Sequence, residues 1–264
     1  MLIEKKKIGI IGCGNMSRAI LHGLLTKIPA ENLTVSDASE SQLAAIAQTG
    51  VHTTTDNTQT VKGSDIVILA VKPNIYPAVL KEISQFTDKL YITIAPGLSI
   101  AYIKSFFASP VRVVRTMPNM PAQVNQGMTV YATGEVGEDI TCAEEILSCL
   151  GRFIRINEHL MDAAVGVNGS GPAYVFVMIE AMADEAVLQG IPRKDAYVLA
   201  AQTVLGSAAM VLETGLHPAE LKDMVCSPGG TTIEAIASLE QSGFRSSLIK
   251  AMKRCTEKSE KLSK

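Results

Sequence analysis

Apolar positions follow one rhythm in the first part of the chain and another in the second. Up to about residue 156, short runs rich in Ile, Val and Leu lie at 8–11, 33–36, 66–71, 91–95, 111–115, 128–132 and 153–156, separated by helical or turn-rich stretches. Strand-like runs alternating with helices predict a parallel sheet with crossover helices. The run Ile66-Val67-Ile68-Leu69-Ala70-Val71 is continuously apolar, as expected of a strand covered on both faces. Beyond about residue 160 only helical spacing remains, at 173–188, 193–213, 217–225, 232–239 and from 244 onward. Pro172 suits the first turn of the first of these helices and Gly215 the C-terminal cap of the second. Residues 173–188 are apolar on most of their circumference, which predicts a helix buried all round.

The stretch from Lys7 to Ile20 gives the first half a chemistry. The strand-like Ile8-Gly9-Ile10-Ile11 meets Gly12-Cys13-Gly14 and passes directly into the helical spacing of Met16, Ala19, Ile20, Leu24 and Leu25. Gly12 can take the dihedrals of a sharp turn, and Gly14 has no Cβ to hold a pyrophosphate away from the amides of the helix N-terminus. Ser17 stands where a third glycine is usual, and Asp37 ends the next strand-like run, Leu33-Thr34-Val35-Ser36, about where a ribose hydroxyl would be held. The expected architecture is therefore α/β: an N-terminal Rossmann-type dinucleotide-binding domain over residues 1–160, then an all-α dimerisation and substrate-binding domain over 161–264. The second part is short for the apolar surface its helices carry, so homo-oligomerisation through it is expected.

Charge and cysteine usage narrow the partners. A net charge of -2 gives no footprint for nucleic acid. The five cysteines are odd in number, widely spaced and without a C-x-x-C pair, which argues for a reduced, cytoplasmic setting and against a disulfide framework or a zinc site. The long uncharged run 163–179 of the second half holds Asn168, Gly169, Ser170, Gly171 and Pro172 and is not read as a membrane span. The lysine-rich end, with Lys250, Lys253, Lys258, Lys261 and Lys264, reads as the solvated face and frayed end of a helix.

Ligands of parallel sheets bind beyond the carboxyl ends of the strands, which directs attention to residues 12–17, 36–39, 71–74, 95–97 and 116–121. Lys72 is placed there either to meet a phosphate or carboxylate or simply to be solvated. Asn57 is read as a turn residue that can also reach a cofactor. In the second half Ser227-Pro228-Gly229-Gly230-Thr231-Thr232 opens a helix. Its amides and hydroxyls suit a small carboxylate, and Thr231 or Thr232 also fits as the helix N-cap.

Taken together, Ile11-Gly12-Cys13-Gly14-Asn15-Met16, Ala70-Val71-Lys72-Pro73, Asn168-Gly169-Ser170-Gly171-Pro172-Ala173-Tyr174 and the block from Leu221 through the 227–232 loop to Ser242-Gly243-Phe244-Arg245 resemble the pyrroline-5-carboxylate reductases. The resemblance covers nearly the whole chain and implies reduction of 1-pyrroline-5-carboxylate to L-proline by NADPH (cofactor NADP), with NAD as the other candidate. It also implies a homodimer with intertwined helical domains, often assembled into a decamer; with the charge and the uncharged run read above, no nucleic-acid or membrane partner is expected. Carried over position by position, the cofactor contacts fall on Gly12, Gly14, Asn15, Met16, Ser36, Asn57, Ala70, Val71, Lys72, Pro73, Ala95 and Gly97. The substrate carboxylate falls on Ser227, Gly230, Thr231 and Thr232, with Thr232 nearest the chemistry. Two departures stand out: Pro96 replaces an expected alanine and removes a backbone donor, and Asp37, with no arginine close behind it, is unfriendly to a 2′-phosphate.

Two rival readings remain. A β-hydroxyacid dehydrogenase shares the layout but carries a lysine in G-x-x-G-x-G-x-x-x-K. Here Gly166, Gly169 and Gly171 are followed by Val175 at that position, so the group that would move a proton on oxygen is missing. Reduction of an imine that arrives protonated needs no such group. A dinucleotide-sensing protein without chemistry would account for the first half but not for residues 227–232.

Overall fold

The computed structural model describes residues 1–263, which pack as two compact units: Met1–Ser170 together with the chain end from Cys255, and Gly171–Arg254. In chain order the first unit runs β1 (Ile8–Ile11), α1 (Asn15–Leu25), β2 (Leu33–Ser36), α2 (Glu40–Ala47), β3 (His52–Thr54), α3 (Asn57–Lys62), β4 (Ile66–Leu69), α4 (Tyr76–Ile83), β5 (Leu90–Thr93), α5 (Ile100–Lys104), β6 (Arg112–Met117), β7 (Gly127–Thr133), α6 (Glu138–Ser148), β8 (Gly151–Arg155) and α7 (Met161–Ala164). Then follow α8 (Gly171–Leu188), α9 (Arg193–Thr214), α10 (Pro218–Val225), α11 (Thr231–Gln241) and α12 (Phe244–Leu262).

The eight strands form one sheet in the order β3-β2-β1-β4-β5-β6-β7-β8. Its apolar runs are explained by two cores. Ile66 and Ile68 of β4 point into one with Ile8, Ile10 and Leu24, while Val67 and Leu69 point into the other with Ile11, Tyr76 and Leu80. A strand sealed on both faces has no polar side, and each such buried side chain contributes about 1.5–3 kcal/mol. Strand order reverses at the β1/β4 junction, so the crevice beyond the carboxyl ends of β1 and β4 is where this topology offers a ligand site.

Three expectations are corrected. The sheet is parallel except at β6–β7, which pair antiparallel with Thr116 opposite Tyr131. No crossover helix separates them: a short 3₁₀ turn, Met120–Val124, closed by Asn125 in the left-handed region, returns the chain directly. Next, α8 is not buried all round. Ala183 is its fully buried residue, packed with Ala196 and Ala200 of α9, while Phe176, Val177 and Leu188 are exposed. Periodicity reports that a face is apolar, not what covers it. Finally, the lysines of α12 do face solvent, but its end is anchored: the Ser259 and Ser263 hydroxyls donate to Asp162 Oδ1 at 2.6 and 2.7 Å. Among the described residues, α9 is the one helix long and apolar enough to cross a membrane by length and composition.

Candidate functional site

The phosphate-binding geometry begins at Gly12. Its φ is +103°, and a Cβ built on it would lie 2.8 Å from the backbone carbon and oxygen of Ala70 and 3.0 Å from Val71 Cγ1. Neither side can give, because the Gly12 amide donates to Ser36 O at 2.7 Å and the Ala70 amide donates to Ile11 O at 2.8 Å. Glycine is thus required by fit as well as by dihedral. Ser17, 2% exposed, sits where the motif usually has glycine, and its hydroxyl donates to Gly12 O at 2.5 Å, tying the helix back onto the turn. The departure from G-x-G-x-x-G is a closing bond, not a defect.

Gly14 is the N-cap of α1 and has open space where its Cβ would be. No side chain caps this helix and no acidic residue lies in its first turn. Its first amides, with exposed Asn15 and half-buried Met16, therefore present unpaired donors and the positive end of the helix dipole to an anion. The cradle a side chain would fill, and the uncapped helix start beside it, fit a dinucleotide pyrophosphate.

The Asp37 carboxylate is engaged within the chain itself. Its Oδ2 accepts from the Cys13 amide at 2.7 Å and its Oδ1 from the Ser39 amide at 2.9 Å, which clamps the glycine turn to the turn after β2. Ser36 is buried and donates from Oγ to Asn57 Oδ1 at 2.8 Å, while Asn57 Nδ2 donates to Glu82 at 2.9 Å. Asn57 is not a turn residue: it opens α3, capped by Asp56, whose carboxylate accepts from the Thr58 hydroxyl and the amides of Thr58 and Gln59. The Thr58 hydroxyl first, and then these amides, hold the Asp56 carboxyl below its ordinary range.

After β4, Ala70 and Val71 are half-buried, and Lys72 and Pro73 are exposed. Lys72 makes no ion pair among the described residues, so its charge is available to an anion. After β5, Ala95 and Gly97 are buried and only Pro96 is exposed. Gly97 has φ +72°, and the Leu262 carbonyl lies 3.2 Å from where its Cβ would be. After β6, Asn119 accepts from the Met128 amide and donates to Asn168, whose own amide donates to Met117 O. Asn119 and Asn168 thereby brace the 116–121 loop. Nothing in their spacing singled out that pairing, since the partners lie 49 residues apart.

In the second unit the 227–232 loop is a tight turn. Ser227 O accepts from the Gly230 amide at 3.0 Å, Pro228 stands second, and Gly229 takes φ +65°, the residue order of a type II turn. Gly230 is the N-cap of α11, and no side chain caps the helix. The capping role read for Thr231 or Thr232 is therefore not realised. Both hydroxyls, Thr231 exposed and Thr232 half-buried, stand at the open N-terminus of α11.

Known proteins resemble this chain over nearly its whole length. Residues 158–262 match the family model for pyrroline-5-carboxylate reductase dimerisation, and residues 7–97 the model for coenzyme F420-dependent NADP oxidoreductases. The chain is 46% identical over 267 aligned residues to the pyrroline-5-carboxylate reductase of Escherichia coli, covering 98% of this chain and 99% of that protein. Among solved structures it is similar to a pyrroline-5-carboxylate reductase from Coxiella burnetii (36% identity, TM-score 0.92, 98% and 99% of the two chains covered). It is similar also to the Plasmodium falciparum pyrroline carboxylate reductase solved with NADP bound (32% identity, TM-score 0.89, 99% of each chain).

Proposed function

This chain belongs to the pyrroline-5-carboxylate reductases, and from that membership we propose that it reduces 1-pyrroline-5-carboxylate to L-proline with NADPH. The observation that carries the reading is the start of α11, which no side chain caps and which follows the Ser227-Pro228-Gly229-Gly230 turn with the hydroxyls of Thr231 and Thr232 beside it. The glycine turn at α1 suits a dinucleotide pyrophosphate, whereas the amides and hydroxyls at the start of α11 suit a small carboxylate. The β-hydroxyacid dehydrogenase and the sensing protein gain no support from relatives that match over their full length.

In this reading the reduced nicotinamide supplies hydride, and the chain supplies binding and alignment. The amides at the start of α1, with Gly12, Gly14, Asn15 and Met16, hold pyrophosphate. Ser36, Asn57, Ala70, Val71, Lys72, Pro73, Ala95 and Gly97 line the remainder of the cofactor path. Ser227, Gly230, Thr231 and Thr232 seat the substrate carboxylate. The imine nitrogen arrives already protonated, so one hydride added to its carbon completes the amine and no enzyme acid is consumed. Thr232 is an anchor and a hydrogen-bond partner, because a neutral hydroxyl is a poor acid near pH 7. The working unit is a cytoplasmic homodimer, in keeping with five free cysteines and the dimerisation match. Whether dimers assemble into a decamer is settled by the mass in solution.

The direct test is oxidation of NADPH on adding pyrroline-5-carboxylate; activity with a β-hydroxyacid substrate instead would overturn the proposal. A Thr232→Ala enzyme is expected to lose about 1 to 3 kcal/mol of transition-state stabilisation, the size of a hydrogen bond to a charged partner, and to stay active. A folded variant that binds both ligands with no turnover would instead reveal a true general acid. Asp37→Asn should raise the ratio of kcat/KM for NADPH over NADH, because a negative charge near the 2′ position is removed, while weakening both through the lost clamp on Cys13. An unchanged ratio would take Asp37 out of cofactor discrimination.

A further inference from the structure

Tyr76 begins α4 and is 1% exposed, with its hydroxyl beneath the carboxyl ends of the strands that carry the cofactor loops. That hydroxyl donates to Leu69 O at 2.6 Å and lies 2.8 Å from Thr93 Oγ1, which accepts from the Ala95 amide at 3.2 Å. One assignment of protons satisfies all three bonds. The Leu69 carbonyl can only accept, so the phenol proton is committed to it. The Thr93 proton must then point at the phenol oxygen, which leaves a lone pair of Thr93 for the Ala95 amide. Donors thus run in a single direction from the Ala95 N–H through Thr93 and Tyr76 to the end of β4. Thr93 O accepts in turn from the Thr116 hydroxyl at 2.9 Å, joining β6 to the same network. Burial pushes the Tyr76 phenol upward from its ordinary value, so it stays a hydroxyl over any working pH.

The loop that this chain of bonds reaches is packed through Ala95, Gly97 and Leu98 but has few backbone hydrogen bonds of its own. Pro96 has no amide proton, and the Ala95 amide is already spent on Thr93. A buried tyrosine needs only one acceptor, whereas this one spans the β4 and β5 ends and reaches the loop through Thr93. We propose that Tyr76 is a positioning residue of the reductase, acting through Thr93 to fix the 95–97 loop against the cofactor. The proposal rests on the assignment of Ala95 and Gly97 as cofactor contacts, and through it on the reductase reading.

The test compares Tyr76→Phe, Thr93→Val, Thr93→Ser and the Tyr76→Phe/Thr93→Val double variant. It reads kcat, both KM values, thermal stability, and NADPH affinity by titration of the reduced cofactor's fluorescence, which needs no turnover. Tyr76→Phe should weaken NADPH binding and lower kcat by roughly three- to tenfold, the weight of one hydrogen bond, with KM for pyrroline-5-carboxylate unmoved. Thr93→Val should do the same or more, Thr93→Ser should restore wild-type values, and the double variant should be no worse than Thr93→Val, because the groups act in series. Lowered thermal stability with unchanged NADPH affinity and kcat, or strictly additive losses, would reduce Tyr76 to a packing residue and overturn the proposal. Should the wild type fail to reduce pyrroline-5-carboxylate while Tyr76→Phe still loses NADPH affinity, the substrate assignment falls and the positioning role survives.

Discussion

A Gly12→Ala enzyme should lose cofactor binding altogether and much of its stability margin. A methyl at this position would meet the Ala70 backbone at 2.8 Å, and its φ of +103° is one that L residues rarely adopt. The strained backbone costs of order 1–3 kcal/mol, and the steric overlap costs about as much again. Relief by movement is closed off, since β2 and β4 hold the turn from both sides through Ser36 O and the Ala70 amide. Any shift that accommodated the methyl would carry the first amides of α1 away from the pyrophosphate. Thermal unfolding and fluorescence titration with NADPH check both halves. A variant that melts with the wild type and binds NADPH equally well would show that the turn is not the phosphate site.

The other large effect is expected in α9. Val198, Leu205 and Leu212 are 64%, 57% and 57% exposed in the protomer and recur at seven-residue intervals, so they form one apolar stripe along the helix. The segment lies within the region matching the dimerisation model, which accounts for a helix that is apolar yet little buried in a single chain. In an isologous dimer one substitution is felt twice. Leu205→Glu removes two buried leucines, each contributing about 1.5–3 kcal/mol, and sets two carboxylates against apolar surface. Dissociation into 28.1 kDa chains with loss of activity is the expected result in sedimentation at low micromolar concentration. An oligomer of unchanged mass would place the interface elsewhere.

The sequence was most legible where the physics is local. The run 66–71 announces a strand sealed on both faces, Gly12 and Gly14 announce a turn against a phosphate, and Gly215 in the left-handed region ends α9 as its position suggested. It was least legible where a polar group finds its partner far along the chain. Ser17 looks like a missing glycine until its hydroxyl is seen on Gly12 O. Asp37 reads as a ribose contact alone, and nothing in the sequence shows that the Cys13 amide, 24 residues away, also donates to its carboxylate. Asn57 has the composition of a turn, yet Asp56 caps a helix there. Tyr76 gave no signal beyond a hydroxyl in an apolar stretch, which must find a partner if buried. Solvation was the other blind spot: the apolar circumference of α8 and the anchored end of α12 depend on what lies opposite, and no periodicity contains that.

The core that the second unit owns by itself consists of three fully buried alanines, Ala183, Ala196 and Ala200, with Ile179, Ala186, Val187 and Ile191 around them. Alanine buries the least apolar area of any core side chain, far from enough to offset the ordering entropy of the 171–254 segment. Folding of these helices and their association are then a single event. The second unit is thus expected to fold in a second-order step, its melting temperature climbing with protein concentration and dilution alone acting as a denaturant.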